Sequence, residues 1–330
     1  MEPGAPGLPI DPLDALRQRR SAKWLTYPAD VLPLPVAEMD VNLAPPIAEV
    51  LAEAVRRSDT GYGYTGTELA RAVAKFTASR WSWDIDPAQV TAVTDVGVGV
   101  VELLRALTGP GDAVAISPPV YPPFFDWVPE SGARLLEVPL AHDGGGYQLD
   151  LDALERAFAT HPAAYVLCNP HNPVGRVHTP AELAALVRLA RIYHVTLISD
   201  EIHGPLVLPG ATFTPLLTVP GAAEVAVTVM SASKAWNLAG LKCAVVVTAS
   251  PRLAAVVDRF PPDTPWRFGL DCSAVCPDST ARELFLDRGR VALEPGLRYG
   301  AQGAGYARLN FATSAGILDQ AVDRMAAALQ

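Results

Sequence analysis

Short, uninterrupted apolar runs recur through the middle of the chain and constrain its fold more than any other feature. Strands that are apolar at nearly every position are buried on both faces, which is typical of parallel sheets covered by helices. The sequence therefore predicts an α/β fold with a mostly parallel central sheet. The runs lie at residues 113–117, 163–168, 195–199, 223–229 and 243–248.

Amphipathic segments of helical length alternate with these runs. One helix start is unusually well marked: Thr179 is the predicted N-cap, Pro180 takes the first helical position, and Glu182 supplies the acid of a capping box. Two more strands are predicted at 291–293 and 307–312. The predicted helices span 13–20, 46–57, 68–81, 99–107, 151–160, 180–193, 280–288 and 317–329.

Charge and composition exclude several classes of function. The 330 residues carry a net charge of -9 without a basic stripe, which argues against a nucleic-acid partner. The apolar runs are far too short to cross a bilayer, so no membrane partner is predicted. The first residues lack a basic segment followed by an apolar one, so we expect a cytoplasmic protein. The 4 cysteines lack zinc-site spacing, which predicts reduced thiols and no metal site.

Polar residues follow three of the apolar runs directly. Asn172 comes just after one, Asp200 closes the next, and Ser231 to Lys234 follow the third. Ligands of open parallel sheets bind at the carboxyl ends of strands, so these side chains predict a site. A lysine, a carboxylate, an amide, hydroxyls and a helix N-terminus are together what pyridoxal 5'-phosphate (PLP) requires.

Seven motifs carry a resemblance to a known family. In them the chain is similar to fold-type I PLP-dependent enzymes of the class I/II aminotransferase superfamily, and most similar to their cystathionine beta-lyase-like (C–S lyase) branch. The motifs are VAEMDV (36–41), TGYGYTG (60–66), PPVYPPFF (118–125), NPHNPVGRV (169–177), SDEIHGPL (199–206), SASKAWNLAGLK (231–242) and YARLNFATS (306–314).

The resemblance implies a domain organisation. It predicts an N-terminal segment, 1–45, that joins the small domain. A large PLP-binding domain is predicted over 46–265. A C-terminal small α+β domain is predicted over 266–330, and it is reduced in this chain.

The same resemblance assigns the groups around the cofactor ring. It makes Lys234 the lysine that bonds to the cofactor and carries protons, and Asp200 the partner of the pyridine nitrogen. Asn172 contacts the phenolic oxygen and the substrate carboxylate, Tyr121 stacks on the ring, and His203 lies beside these groups. The structural alternatives are a solvated lysine, an N-cap aspartate, a turn asparagine, a packed tyrosine and a structural histidine.

For the cofactor phosphate, the resemblance implies hydroxyls, a cation and a helix N-terminus. Ser231 and Ser233 supply the hydroxyls and Lys242 the cation, although Lys242 fits a surface residue equally well. The backbone N–H groups around Val96 and Gly97 complete the phosphate site.

Two further residues are assigned by resemblance. Tyr64 reaches the neighbouring subunit's phosphate in a homodimer, against the alternative of a core tyrosine. Arg308 binds the substrate carboxylate, against the alternative of a structural salt bridge.

Two reactions remain open on these residues. The resemblance favours α,β-elimination from L-cystathionine or related cysteine S-conjugates, which yields pyruvate, ammonia and a thiol; the alternative is an aminotransferase. A regulatory PLP-fold protein would need an added DNA-binding domain, and only residues 1–45 precede the predicted core.

Length separates the chain from the family it resembles. Relatives are longer, and the match to their motifs breaks between Gly269 and Asp271. We therefore expect an internal deletion near residue 270 and exposed apolar surface on a reduced small domain. A PLP-binding but catalytically impaired homologue is thus a further alternative.

Overall fold

The chain divides into two compact units, Met1–Pro265 and Trp266–Gln330. The assignment of residues 1–45 to the small domain stays a prediction. The computed structural model describes residues 10–26, 28, 37–61, 67–142, 144–261, 264, 285, 288, 290–291, 294–295, 307–308 and 315–328.

Helices and strands alternate through the first unit. None of the described helices combines the length and apolar character that crossing a membrane requires. The helices are α1 (Leu13–Leu16), α2 (Ala22–Leu25), α3 (Pro45–Arg56), α4 (Thr67–Trp81), α5 (Val96–Leu107), α6 (Pro123–Glu130), α7 (Leu151–Phe158), α8 (Pro180–Tyr193) and α9 (Pro251–Val257). The strands are β1 (Val90–Val93), β2 (Ala113–Ile116), β3 (Arg134–Glu137), β4 (Ala141–His142), β5 (Tyr147–Gln148), β6 (Ala164–Cys168), β7 (Thr196–Asp200), β8 (Ala226–Met230) and β9 (Ala244–Thr248).

A 7-stranded sheet in the order β1-β9-β8-β7-β6-β2-β3 forms the centre of this unit. The neighbours from β3 through β8 pair in parallel, which confirms the mostly parallel sheet. Strand β9 runs antiparallel to both β8 and β1. The run at 243–248, which has the same apolar pattern as the others, therefore points the opposite way.

Alternate residues of the central strands enter two hydrophobic cores, one on each face of the sheet, while Met230, Val245 and Val247 enter a third, smaller cluster. On one face Val166 of β6 packs in the cluster that contains Leu103 and Phe124. On the other face Leu167 packs with Leu154 and Leu186. Successive side chains of a strand point to opposite faces, so continuous apolar runs are needed to fill both cores.

The predicted start of α8 is confirmed in detail. The Thr179 hydroxyl accepts the Glu182 N–H, and the Glu182 carboxylate accepts the Thr179 N–H, as a capping box requires. The helical pattern predicted the start of α5 near Gly99, three residues late, whereas the resemblance placed Val96 and Gly97 at the helix start, and the helix does begin at Val96. Asp95 caps it by accepting the Val98 N–H at 3.0 Å.

Several strand predictions need correction. Strand β8 begins at Ala226, because Ala222–Glu224 form a 3-10 turn that leads into it. Strands β1 and β3 were not predicted: each is a half-exposed edge strand without a continuous apolar pattern.

The second unit is described only in part. A two-residue strand, β10 (Glu294–Pro295), pairs antiparallel with β11 (Ala307–Arg308), and α10 spans Ala315–Ala328. Of the strand predicted at 291–293, residues 292–293 lie outside the described residues, and the described strand β10 follows directly at Glu294. The predicted helix 280–288 lies largely outside the described residues, as does the predicted exposed apolar surface of this unit.

Candidate active site

A cavity of about 250 Å³ opens at the carboxyl-terminal edge of the central sheet. Its lining brings together side chains that are far apart in sequence but lie near this one edge. Ten of the residues predicted for the cofactor site line it: Val96, Gly97, Tyr121, Asn172, Asp200, His203, Ser231, Ser233, Lys234 and Lys242.

Two predicted site residues cannot be placed at this cavity. Tyr64 lies outside the described residues, and of Arg308 the structure describes only the backbone, in β11 of the second unit. Their assigned roles stay predictions.

The direction of β9 explains why Lys242 reaches the cavity. Because β9 is antiparallel to β8, its first residues lie beside the last residues of β8, with Met230 opposite Val245. The Ser231 hydroxyl accordingly donates to the Cys243 carbonyl at 2.7 Å. On the other side of β9, Ala244 pairs with Val93, so Lys242 also lies near the N-terminus of α5.

Lys234 lies half-buried in the loop after β8. Its Nζ donates to the Ala37 carbonyl at 3.4 Å, so the N-terminal segment forms the wall facing it. The positive charge of Lys234 also acts on Asp200 and His203, since it contributes to the pKa shifts of both.

Asp200 is the buried acid of the site. Burial raises its pKa from 3.8 to about 7, against the Ile202 N–H and the Lys234 charge, which both act to lower it. Its Oδ1 accepts the Ile202 N–H at 3.1 Å, while the side chain also lines the cavity. This one backbone hydrogen bond does not offset the cost of burial, so a cationic partner stabilises the ionised form of Asp200.

An aromatic wall closes one side of the cavity. The ring of Tyr121 lies 6.0 Å from that of Trp127 and 6.5 Å from that of Phe124, both in edge-to-face geometry. Burial and the charge of Asp200 raise the pKa of Tyr121, so the phenol stays protonated. Gly97 faces Trp127 so closely that a Cβ would lie 2.9 Å from the indole nitrogen, which excludes larger residues there.

Asn172 and His203 line the cavity near the ends of β6 and β7. The Asn172 N–H donates to Cys168 Sγ at 3.3 Å, which fixes the turn after β6 and leaves the carboxamide at the cavity. Burial, followed by the Lys234 charge, lowers the pKa of His203, so the imidazole is neutral at neutral pH.

Sequence reasoning missed Asp95 and Trp127, which also line the cavity. Lys242 Nζ lies 2.9 Å from Asp95 Oδ2, so the two form an ion pair beside the start of α5. An acid directly before a helical run is an N-cap signal and could have identified Asp95. Trp127 lies in α6, a helix that the sequence pattern did not predict, so it had no comparable signal.

A further missed residue, Asn237, attaches the N-terminal segment to the lysine loop. Its carboxamide accepts the Met39 N–H at 3.1 Å and donates to the Met39 carbonyl at 2.9 Å. The buried Lys23 pairs with Asp40 at 2.8 Å on the same segment. The motif VAEMDV is thus held against the loop that carries the lysine.

The lining residues fit PLP. The cavity offers an amine, a buried acid for which the described part of the chain supplies no cationic hydrogen-bond donor, a phenol ring, a carboxamide, two serine hydroxyls and a helix N-terminus with a nearby lysine. A metal site has no such support: among the described side chains, no group of three His, Cys, Asp or Glu is placed to hold an ion.

Comparisons with known proteins agree with this geometry. Residues 29–261 match the family model described as aminotransferase class I and II. A Mycobacterium leprae protein named "Putative cystathionine beta-lyase" is 42% identical, with 96% of each chain covered. Cystathionine beta-lyase PatB of Bacillus subtilis is 29% identical, over 94% of this chain and 97% of the relative.

A solved structure from Corynebacterium diphtheriae, described as a "putative plp-dependent beta-cystathionase", superposes with a TM-score of 0.73. It is 28% identical and covers 98% of this chain and 100% of its own. The PLP cofactor and the fold-type I architecture of the sequence analysis are thereby confirmed.

The alignment with the Mycobacterium leprae protein also bears on chain length. It runs over 394 positions, more than the 330 residues present here, so the relative has positions without a counterpart in this chain. That these positions fall near residue 270 stays a prediction. The family match covers residues 29–261, well over half of the chain, and the chain belongs to the class I and II aminotransferase family of PLP-dependent proteins.

Proposed function

We propose that this protein is a PLP-dependent C–S β-lyase that acts on L-cystathionine or related cysteine S-conjugates. The overall reaction consumes one water and releases a thiol, pyruvate and ammonia. The observation that carries the proposal is the placement of Lys234 and Asp200 on one cavity, in a chain whose relatives are named cystathionine beta-lyases.

Lys234 is the group that moves the proton. When bound, the cofactor supplies an electron sink for the pair of electrons that the Cα proton leaves behind. The Lys234 amine takes that proton, and the sulfur leaves Cβ with the electrons of the C–S bond. A half-buried lysine lets substrate in while limiting bulk water around the amine.

Asp200 is the group that keeps the cofactor ring positively charged. Its pKa of about 7 means that burial holds back ionisation even though the charge of Lys234 acts to lower the pKa. A positive ring nitrogen beside it favours the carboxylate form, and the carboxylate in turn favours protonation of that nitrogen. Each group thus stabilises the charged form of the other.

The remaining residues orient the ring and the substrate. The protonated phenol of Tyr121 and the neutral imidazole of His203 add no charge to the cavity, so they position the ring without disturbing the Lys234–Asp200 pair. Asn172 and Arg308 are the proposed partners of the substrate carboxylate; a guanidinium suits a carboxylate because it donates two parallel hydrogen bonds.

A cytoplasmic homodimer is part of the proposal, with Tyr64 contributed across the interface. Helix α3 supports an interface nearby, because none of its residues is buried and Val50 and Val55 are each 69% exposed. Mixing Lys234→Ala subunits with Tyr64→Phe subunits tests the arrangement. Hybrid dimers would regain one complete site and hence activity, whereas sites built within one subunit would regain none.

The proposed reaction is tested with protein purified in the presence of PLP. Borohydride reduction followed by peptide mass analysis locates the lysine that bonds to the cofactor, and L-cystathionine is then supplied without any keto acid. We expect the label on Lys234 and the release of pyruvate, ammonia and thiol. Lys234→Ala should lose the label and about 10²- to 10⁴-fold in rate.

The exposed Lys75 of α4 provides a matched control, since Lys75→Ala removes the same charge at a residue that does not line the cavity. Labelling of another lysine in Lys234→Ala would refute the assignment. Turnover that requires a keto acid would make the protein an aminotransferase. Cofactor labelling without either reaction would identify an impaired homologue.

A further inference from the structure

At one end of the cavity, the acidic side chain of Asp95 lies among positively charged groups. The N-terminus of α5 and Lys242 are among the groups that the family resemblance assigns to the cofactor phosphate. Asp95 lies between them: its carboxylate accepts the Val98 N–H at 3.0 Å through Oδ1 and pairs with Lys242 Nζ at 2.9 Å through Oδ2. The Asp95 carboxylate therefore already accepts hydrogen bonds from the α5 N-terminus and from Lys242.

The surroundings of Asp95 stabilise its ionised form. Partial burial by itself raises its pKa, but the Val98 N–H, Lys242 and the Gly97 N–H together outweigh burial and lower the pKa below 3.8. The carboxylate is thus ionised at neutral pH. Positive backbone groups at a helix N-terminus stabilise such an anion, and they would equally stabilise a phosphate.

Lys242 is held in this arrangement by the backbone as well. Its φ of 50° lies in the left-handed region, which a residue with a side chain adopts only when its surroundings require it. The turn directs the ammonium toward Asp95 and the cavity. The Lys242 ammonium therefore pairs with the Asp95 carboxylate and also faces any anion that enters the cavity.

We propose that Asp95 competes with the cofactor phosphate for Lys242 and for the α5 N-terminus, and so sets the affinity for PLP below what the site could reach. This inference rests on the proposed function only in that the protein must bind PLP. The Asp95 carboxylate repels a dianionic phosphate, and its ion pair with Lys242 offsets part of the attraction between Lys242 and the phosphate. Asp95 is thus a positioning residue that keeps the cofactor exchangeable.

The test is the variant Asp95→Asn in otherwise unchanged protein. Asparagine is as good an N-cap as aspartate, so α5 keeps its cap while the charge is removed. Equilibrium titration should show that PLP binds about fivefold more tightly, the size expected for one partly exposed charge pair. Pyridoxal, which lacks the phosphate, should bind with unchanged affinity, and inorganic phosphate should protect the variant more strongly from thermal unfolding.

Asp150→Asn is the matched control, because Asp150 caps α7 through the Ala153 N–H at 2.8 Å and does not line the cavity. It should leave both affinities unchanged. Asp95→Ser provides a second capped, neutral variant if Asp95→Asn folds poorly. Unchanged or weaker PLP binding in the neutral variants would overturn the inference, as would an equal gain for pyridoxal. Failure of the wild-type protein to bind PLP would instead overturn the proposed function.

Discussion

The pKa of Asp200 leads to a quantitative prediction about stability. In the cofactor-free protein this pKa is raised from 3.8 to about 7. Below about pH 4 both folded and unfolded chains hold the proton; at higher pH the unfolded chain releases it first. The free energy of unfolding therefore falls as pH rises from about 4 to about 7. The total loss is about 4 kcal/mol, at about 1.4 kcal/mol for each pH unit between the two pKa values.

Asp200→Asn removes this penalty because the amide does not ionise. Urea unfolding of the cofactor-free proteins, followed by tryptophan fluorescence between about pH 4 and about pH 8, measures it. We expect the variant to gain up to about 4 kcal/mol relative to the wild type as pH rises. Bound PLP should abolish this gain, because a cationic ring nitrogen favours the carboxylate.

Glu201 is the matched control for this experiment. It is fully buried, burial raises its pKa to about 8, and it does not line the cavity. Glu201→Gln should thus show a pH-dependent gain that PLP does not abolish. Identical pH profiles for wild type and Asp200→Asn would refute the reasoning about burial. A gain in Asp200→Asn that persists with PLP would refute the pairing of Asp200 with the ring.

Two further predictions concern segments around the site. Asn237→Ala removes both hydrogen bonds to Met39, so we expect a higher KM for the amino acid with little change in PLP affinity. Asn237→Asp retains the acceptor for the Met39 N–H and should recover part of this loss. Equal losses in both variants would contradict a role for the two hydrogen bonds. Thr179→Ala removes the N-cap of α8 and should lower the free energy of unfolding in urea by about 1 kcal/mol without altering PLP affinity. The control Thr160→Ala removes only an exposed hydroxyl contact to the Ala157 carbonyl and should lower it by less.

Where local pattern and tertiary environment agree, the sequence predicted the structure closely. The runs at 163–168 and 195–199 were identified within a residue of β6 and β7, because strands buried on both faces must be apolar throughout. The capping box at Thr179 needs only four consecutive residues, so it too could be predicted. Half-exposed β1 and β3 were missed because their stability comes from neighbours rather than from their own pattern.

The candidate site divides in a similar way. Lys234, Asp200 and Asn172 follow strands in the sequence, and the rule that the carboxyl ends of parallel strands share an edge is enough to predict that they lie together. Asp95 and Asn237 were missed as site residues because their importance comes from partners distant in sequence. Asp95 pairs with Lys242, and Asn237 holds Met39 across 198 residues.

The sequence by itself determined the α/β class, the main strands and ten of the residues that line the cavity. The direction of β9 was decided only by the tertiary structure, since its continuous apolar pattern is the same for parallel and antiparallel pairing. That direction brings the start of β9, rather than its end, to the carboxyl edge of the parallel strands. Lys242 therefore faces Asp95 at the cavity, because strand pairing depends on packing across the whole sheet and not on the pattern within one strand.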